Sequence, residues 1–478
     1  MSLTAPFPMA TATPPDADER RGHRALVGVL SLAGIITAMQ QTMVVPLIPQ
    51  LPGLLGVSAA DASWAVTATL LSAAVATPTV GRLADMYGKR RMILVCLAFV
   101  IAGSGIAAIT TDLTGLLVGR AFQGMGIGLI PLGISAMRDH LPVQSLPHAT
   151  AKLSASLGVG GAFGLPLGAL LIGHASWHAM FVVSAVTAAV VILLVLRFVP
   201  ESPAPGGRFD LVGAVGLSLS LLALLLGLSK GSTWGTPATF GLFGGAAAVL
   251  VLWAVWELRT AQPLVDLRVS RRRQVLLTNL TSPLFGFATL TSSLVFPQLL
   301  QLSAETGYGF GQSVLVAGLL QAPGGIAMML TSSVSARITE RAGPRSSLMM
   351  GALVSAVGYA FAVFWHGELW QIVVSVSVAA AGVGIAYGAM PTLIMGAVPL
   401  GQTAAANSVN NLTKAVGTSL ASATAGMILA GMTTTVAGQT HPSHTAFVLV
   451  LLIAAVASLV AVAVAFFLPR ARRRYWAM

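Results

Sequence analysis

Apolar runs of membrane-crossing length recur along this chain from residue 25 to residue 468, each closed by a short polar stretch. One helical crossing of a bilayer core takes ~20 apolar residues, and fourteen spans are predicted. The first six are 25–48, 62–80, 92–110, 113–137, 150–172 and 179–198. Two follow at 211–229 and 238–257, and their Gly and Ala content suits re-entrant segments as well as crossings. The last six are 275–301, 312–334, 346–365, 370–397, 404–430 and 445–468. The pattern predicts an all-α polytopic membrane protein of fourteen transmembrane helices and leaves no stretch for a soluble catalytic domain.

Composition removes the soluble alternative, because 55% of the 478 residues are hydrophobic and only 8% are charged. The mean hydropathy is +0.85, beyond what a soluble domain can bury. Residues 1–24, rich in Pro, Thr and Ala, have no signal-peptide core and read as a disordered cytoplasmic tail. Cys96 is the single cysteine, which excludes disulfides and thiolate metal sites. The eight histidines fall in loops or tails, and no helix pairs them at metal-ligand spacing. No cofactor, metal or catalytic cluster is expected, so the chain does not read as an enzyme.

Lys and Arg accumulate in cytoplasmic loops, and the predicted spans sort almost all 26 of them to one side. That side receives the bases from Arg20 to Arg24, the cluster Arg82, Lys89, Arg90 and Arg91, then Arg138, Lys152, Arg197 and Arg208. It also receives the bases from Arg259 to Arg273, from Arg337 to Arg345, and from Arg470 to Arg474. The other side has Lys230, while Arg120 and Lys414 fall inside spans. Both termini are therefore expected in the cytoplasm, in a plasma membrane of bacterial inner-membrane type. The net charge of +12 then reflects topology rather than nucleic-acid binding, and it attracts anionic lipid heads.

An internal repeat sets the architecture. GRLADMYGKRR at 81–91 aligns without gaps on ARITERAGPR at 336–345, which matches Arg82 with Arg337, Asp85 with Glu340 and Gly88 with Gly343. Gly124, Gly128 and Pro131 find echoes in Gly384, Gly388 and Pro391. Two six-helix halves follow, 25–200 and 274–468, related by a pseudo-twofold axis along the membrane normal. A linker at 201–273 carries the two inserted helices, and a basic tail occupies 469–478.

With these motifs the chain resembles the major facilitator superfamily, and within it the fourteen-helix drug:proton antiporters. The loop GRLADMYGKRR is similar to the superfamily signature GxLaDrxGrkr. The resemblance implies that Asp85, Arg82, Gly88 and Lys89 latch the halves at the cytoplasmic side, with Glu340 and Arg337 as their repeat counterparts. It also implies that Asp139 communicates with that gate. LLVGRAFQGMGIG at 116–128 resembles the family's buried-arginine motif through Arg120 and Gln123. By charge alone, Arg120 either faces a cavity or snorkels outward. Gly160, Gly164, Pro166 and Gly168 loosely match the antiporter motif GPxxGG and are hinge candidates.

The chain also departs from the family. Gln40 stands where an aspartate is usual and cannot titrate, which leaves it a substrate ligand, a partner of Arg120 or a structural amide. All fourteen acids fall near span ends or in loops, which weakens proton coupling by a membrane carboxylate. Asn407, Asn410, Asn411 and Lys414 share one helical face, expected to bind substrate or couple transport. The resemblance implies export of small amphipathic compounds such as drugs or antibiotics, driven by a proton gradient. The alternatives are a lipid, peptide or metabolite cargo, or an uncoupled carrier. The simplest expected assembly is a monomer in lipid.

Overall fold

The computed structural model describes residues 17–469 apart from residues 63, 437 and 438. The start of the expected tail, up to residue 16, and the basic end at 470–478 lie outside the described residues. Among the described residues the chain is helical, with one short antiparallel hairpin pairing Thr433–Val436 with Gln439–Pro442. The first helix starts at Ala17, inside the segment read as tail.

The long elements of the first half are α1 (Ala17–Met43), α2 (Trp64–Tyr87) and α3 (Lys89–Ile109). They continue with α4 (Leu113–Met125), α5 (Leu129–His140), α6 (Leu146–His174) and α7 (His178–Phe198). A tight turn at Gly126–Gly128 divides α4 from α5 within one rod. The inserted pair is α8 (Leu211–Trp234) and α9 (Thr236–Arg259). The second half has α10 (Arg273–Gln301), α11 (Val314–Ala342) and α12 (Pro344–Phe364), then α13 (Leu369–Met395), α14 (Thr403–Gly431) and α15 (His444–Phe466).

Twelve helices among the described residues are long and apolar enough to cross a membrane, with α4 and α5 counted as one, so the fourteen expected crossings become twelve by this measure. The reason is local. In α8 the side chains are described only over Leu211–Gly227, one residue short of a crossing-length window, whereas α14 is diluted by Asn407, Asn410, Asn411 and Lys414.

The repeat is visible in how the helices pack. In the first half α1 packs on α6, α2 on α4, and α3 on both α4 and α7. The same pairings return as α10 on α14, α11 on α13, and α12 on both α13 and α15. Gly88 and Gly343, aligned in the sequence, both open a helix at positive φ (101° and 85°). That backbone region is costly for residues with a Cβ. The halves meet where α6 lies against α11 and α13, and where α2 lies against α14. The inserted pair flanks the second seam, because α8 packs on both α2 and α14.

Candidate functional site

Two sets of contacts tie the halves together at the end of the bundle where the basic loops lie. Asp85, in the last turn of α2, accepts from the backbone N–H groups of Ala404 (3.3 Å) and Ala405 (3.0 Å) in the first turn of α14. A helix start offers unpaired N–H groups and the positive end of its dipole, so it suits a carboxylate. Lys89 holds that carboxylate at 3.6 Å and Asp139 at 3.0 Å, all three side chains being buried. Arg138, which the sequence reading treated only as a loop base, reaches across to the carbonyl of Val398 and the hydroxyl of Thr403, at 2.9 and 2.5 Å.

The repeat builds a second contact at the equivalent place. Glu340 of α11 meets Nδ1 of His148 at 3.0 Å, in the first turn of α6. Each half thus sends an acid to the start of a helix in the other half. His148 was missed because nothing in the sequence separates it from a solvated loop histidine. Arg337 is exposed. Arg82 forms no ion pair among the described residues and, beside Ala405 of the latch, lines a cavity of about 250 Å³ with Gln262, Asp266, Asn279 and Gln402. Gly88 makes the turn that carries Lys89, and a Cβ there would press on Glu201.

Within the first half Arg120 is 2% exposed and donates to the carbonyl of Ala65 (3.1 Å) and to Gln123 (2.7 Å), whose amide donates to Ser104 (2.8 Å). Snorkelling is therefore corrected: the guanidinium is satisfied inside the bundle. Gln40 is also buried and its amide nitrogen has no hydrogen-bond partner among the described residues; Arg120 donates to Ala65 and Gln123 and not to Gln40.

The polar face of α14 is split among partners. Asn407 donates to the carbonyl of Thr403 in its own helix. Asn410 donates to Asn279 (3.0 Å) and Ser282 (2.5 Å) of α10. Asn411 is half-buried. Lys414 places its ammonium 4.0 Å from the ring centre of Tyr387 on α13, a cation–π contact, and the Tyr387 hydroxyl is 3.1 Å from that of Thr289. No carboxylate pairs with Lys414 or Arg120 among the described ion pairs. Tyr387 was missed because one aromatic in a glycine-rich span looks like packing.

The hinge candidates serve close approach here. A Cβ at Gly160, Gly164 or Gly168 would overlap the α1 backbone at Ile35, Met39 or Met43. Pro166 faces Gly318 of α11 across the other seam, and α6 runs through it unbroken.

Comparison with known proteins agrees with this architecture. A "Multidrug resistance protein B homolog" of Mycobacterium tuberculosis (strain ATCC 25618 / H37Rv) is 27% identical over 407 residues, covering 81% of this chain and 73% of that protein. The "Probable actinorhodin transporter" of Streptomyces coelicolor is 26% identical over 444 residues, covering 89% and 75%. Among solved structures, the human organic anion transporter MFSD10 superposes with a TM-score of 0.67 at 17% identity, covering 95% of this chain and 100% of that one. A xylose-symporter structure, XylE, gives 0.66 at 13%, covering 95% and 98%. These two show the fold. The family model described as the Major Facilitator Superfamily matches residues 30–422, and this chain, a membrane transporter and not an enzyme, belongs to that superfamily.

Proposed function

We propose that this transporter exports small amphipathic compounds by proton antiport, its halves rocking about a central site. The observation that carries the reading is the pair of acid-to-helix-start contacts at the basic end, where Asp85 meets α14 and Glu340 meets His148. Contacts of this kind close one end of the path and have to part for cargo to reach the other. The named multidrug and actinorhodin relatives support export of small organic molecules at 26–27% identity. Fourteen crossings are supported by length: α8 with 24 residues and α14 with 29 reach ~36 and ~44 Å at 1.5 Å per residue, against a ~30 Å core. The basic end is then the cytoplasmic side of a bacterial inner membrane.

Lys414 and Arg120 lack carboxylate partners among the described residues, so the reading favours neutral, zwitterionic or anionic cargo over permanent cations. The test is a screen in vesicles of defined internal pH, using matched anionic, neutral and quaternary ammonium dyes with and without an imposed proton gradient. Accumulation that collapses with the gradient supports antiport. Accumulation unaffected by a protonophore moves the reading to an uncoupled carrier.

A further inference from the structure

The inserted pair carries two acids that the translocation reading does not use. Asp210 caps α8, accepting from the N–H of Gly213 (2.8 Å) and from the indole of Trp256 (3.1 and 3.2 Å to its two oxygens). Glu257, the residue after Trp256 in α9, is 1% exposed, and neither carboxylate oxygen has a hydrogen bond of ordinary geometry. The backbone N–H groups of Leu264 and Val265 and the indole of Trp253 approach it as donors, at geometry short of full hydrogen bonds. A side chain at Gly213 would collide with Oδ2 of Asp210 and Oε1 of Glu257, so the two carboxylates converge on one methyl-sized space.

The nearest bases along the chain are Arg208 and Arg259, each two residues from one of the acids. Among the described residues no ion pair reaches either acid. Of the charged groups on neighbouring elements, Arg268 gives its guanidinium to the carbonyl of Leu258 at 2.7 Å, and Asp266 caps the turn that follows. Arg82 of α2 lies in the cavity on whose wall Leu264 and Val265 also sit. Two carboxylates shielded from water repel strongly, and one proton between them removes the repulsion. As an acid Glu257 gains an O–H to donate, which the bare carboxylate lacks.

We propose that Glu257 and Asp210 form a proton-binding pair whose occupancy sets how the inserted helices pack against the seam between the halves. The linkage runs through α8, whose Leu217, Leu221 and Leu225 share an apolar cluster with Ala74 of α2 and Leu412 of α14. Those two helices separate when the halves rock, so α8 is placed to feel the motion and to bias it. The cavity of about 250 Å³ beyond Leu264 and Val265 gives the proton a short route to the basic end. The use of this proton in coupling rests on the antiport reading, whereas its binding does not.

The test is carboxyl-region infrared difference spectroscopy of the full chain in liposomes, titrated over roughly pH 5 to 9, with tryptophan fluorescence recorded in parallel. A pH-dependent C=O band, lost in Glu257→Gln and displaced in Glu257→Asp, is expected, with a fluorescence change from Trp253 and Trp256 at the same pH. Retention of signal by Glu257→Asp separates proton binding from misfolding. A band that persists in Glu257→Gln, or a fluorescence change that follows Na⁺ at fixed pH, overturns the proposal. Gradient-driven dye uptake in the same liposomes separates the two readings. Wild type with the band but no gradient dependence sinks antiport and keeps the site, while uptake undiminished in Glu257→Gln keeps antiport and removes the pair from coupling.

Discussion

Asp85 bridges the halves through two backbone N–H groups at the start of α14 while Lys89 balances its charge. An anion at a helix start gains ~0.3–1 kcal/mol, and up to ~2 when partly buried. Asp85→Asn keeps the size but gives up that charge. It is expected to favour opening at the basic end by up to about 30-fold while leaving cargo binding intact. Spin labels at residues 145 and 401, in a Cys96→Ser background, read the opening as a second, longer distance. An unchanged distribution together with unchanged transport removes Asp85 from the gate. Lys414 supports a separate expectation, because its partner is the Tyr387 ring and not an acid. Lys414→Gln should weaken binding of an anionic dye by roughly tenfold, the ~1.5 kcal/mol of one charge-assisted contact, and leave a neutral dye nearly unaffected. Equilibrium competition measures both. Tight quaternary ammonium binding, indifferent to Lys414→Gln and Arg120→Gln, would falsify the electropositive site.

The glycines of α6 give the clearest relation between sequence and packing at the scale of one element. Their spacing of four puts Gly160, Gly164 and Gly168 on one face, and α1 lies so close that its backbone fills the room their side chains would take. Gly160→Val therefore forces α1 outward, and overpacking of this kind costs ~1–3 kcal/mol. A lowered melting temperature in detergent, with Gly161→Val as the control at a position with open space, is the expected result. Equal melting temperatures would mean that α1 yields freely. The same scale shows what was legible in sequence. Twelve of the fourteen spans and the paired turns at Gly88 and Gly343 were readable, because hydrophobic length and a turn glycine are local properties, while Asp85 was marked by the resemblance of its loop. The partners of those residues were not. Ala404, Thr403, Tyr387 and His148 carry no local mark, and only the fold sets them against Asp85, Arg138, Lys414 and Glu340. Asp210 and Glu257 were not singled out in the sequence, where 47 positions part them, and only the pairing of α8 with α9 joins them.

For the whole molecule, parity decides the topology. The two halves repeat the same packing, and the acid of each reaches the start of a helix in the other at one common end. That end is shared only if the chain enters the second half from the side on which it left the first. The inserted pair must therefore cross twice or not at all, since a single crossing would turn the second half over. Length favours two crossings, for α8 and α9 have 24 residues each. The connection between α8 and α9 separates these cases. With two crossings, a cysteine at Ala238 is labelled from the same side as one at Glu305, and one at Tyr475 from the opposite side. With none, Ala238 is labelled together with Tyr475. An impermeant maleimide applied to intact cells and to inverted vesicles, on single cysteines in the Cys96→Ser background, reads all three positions. The expected outcome is residues 238 and 305 outside and residue 475 inside. Labelling of 305 and 475 from one side would undo the orientation, and labelling of 238 with 475 would reduce the fold to twelve crossings with a flat inserted pair.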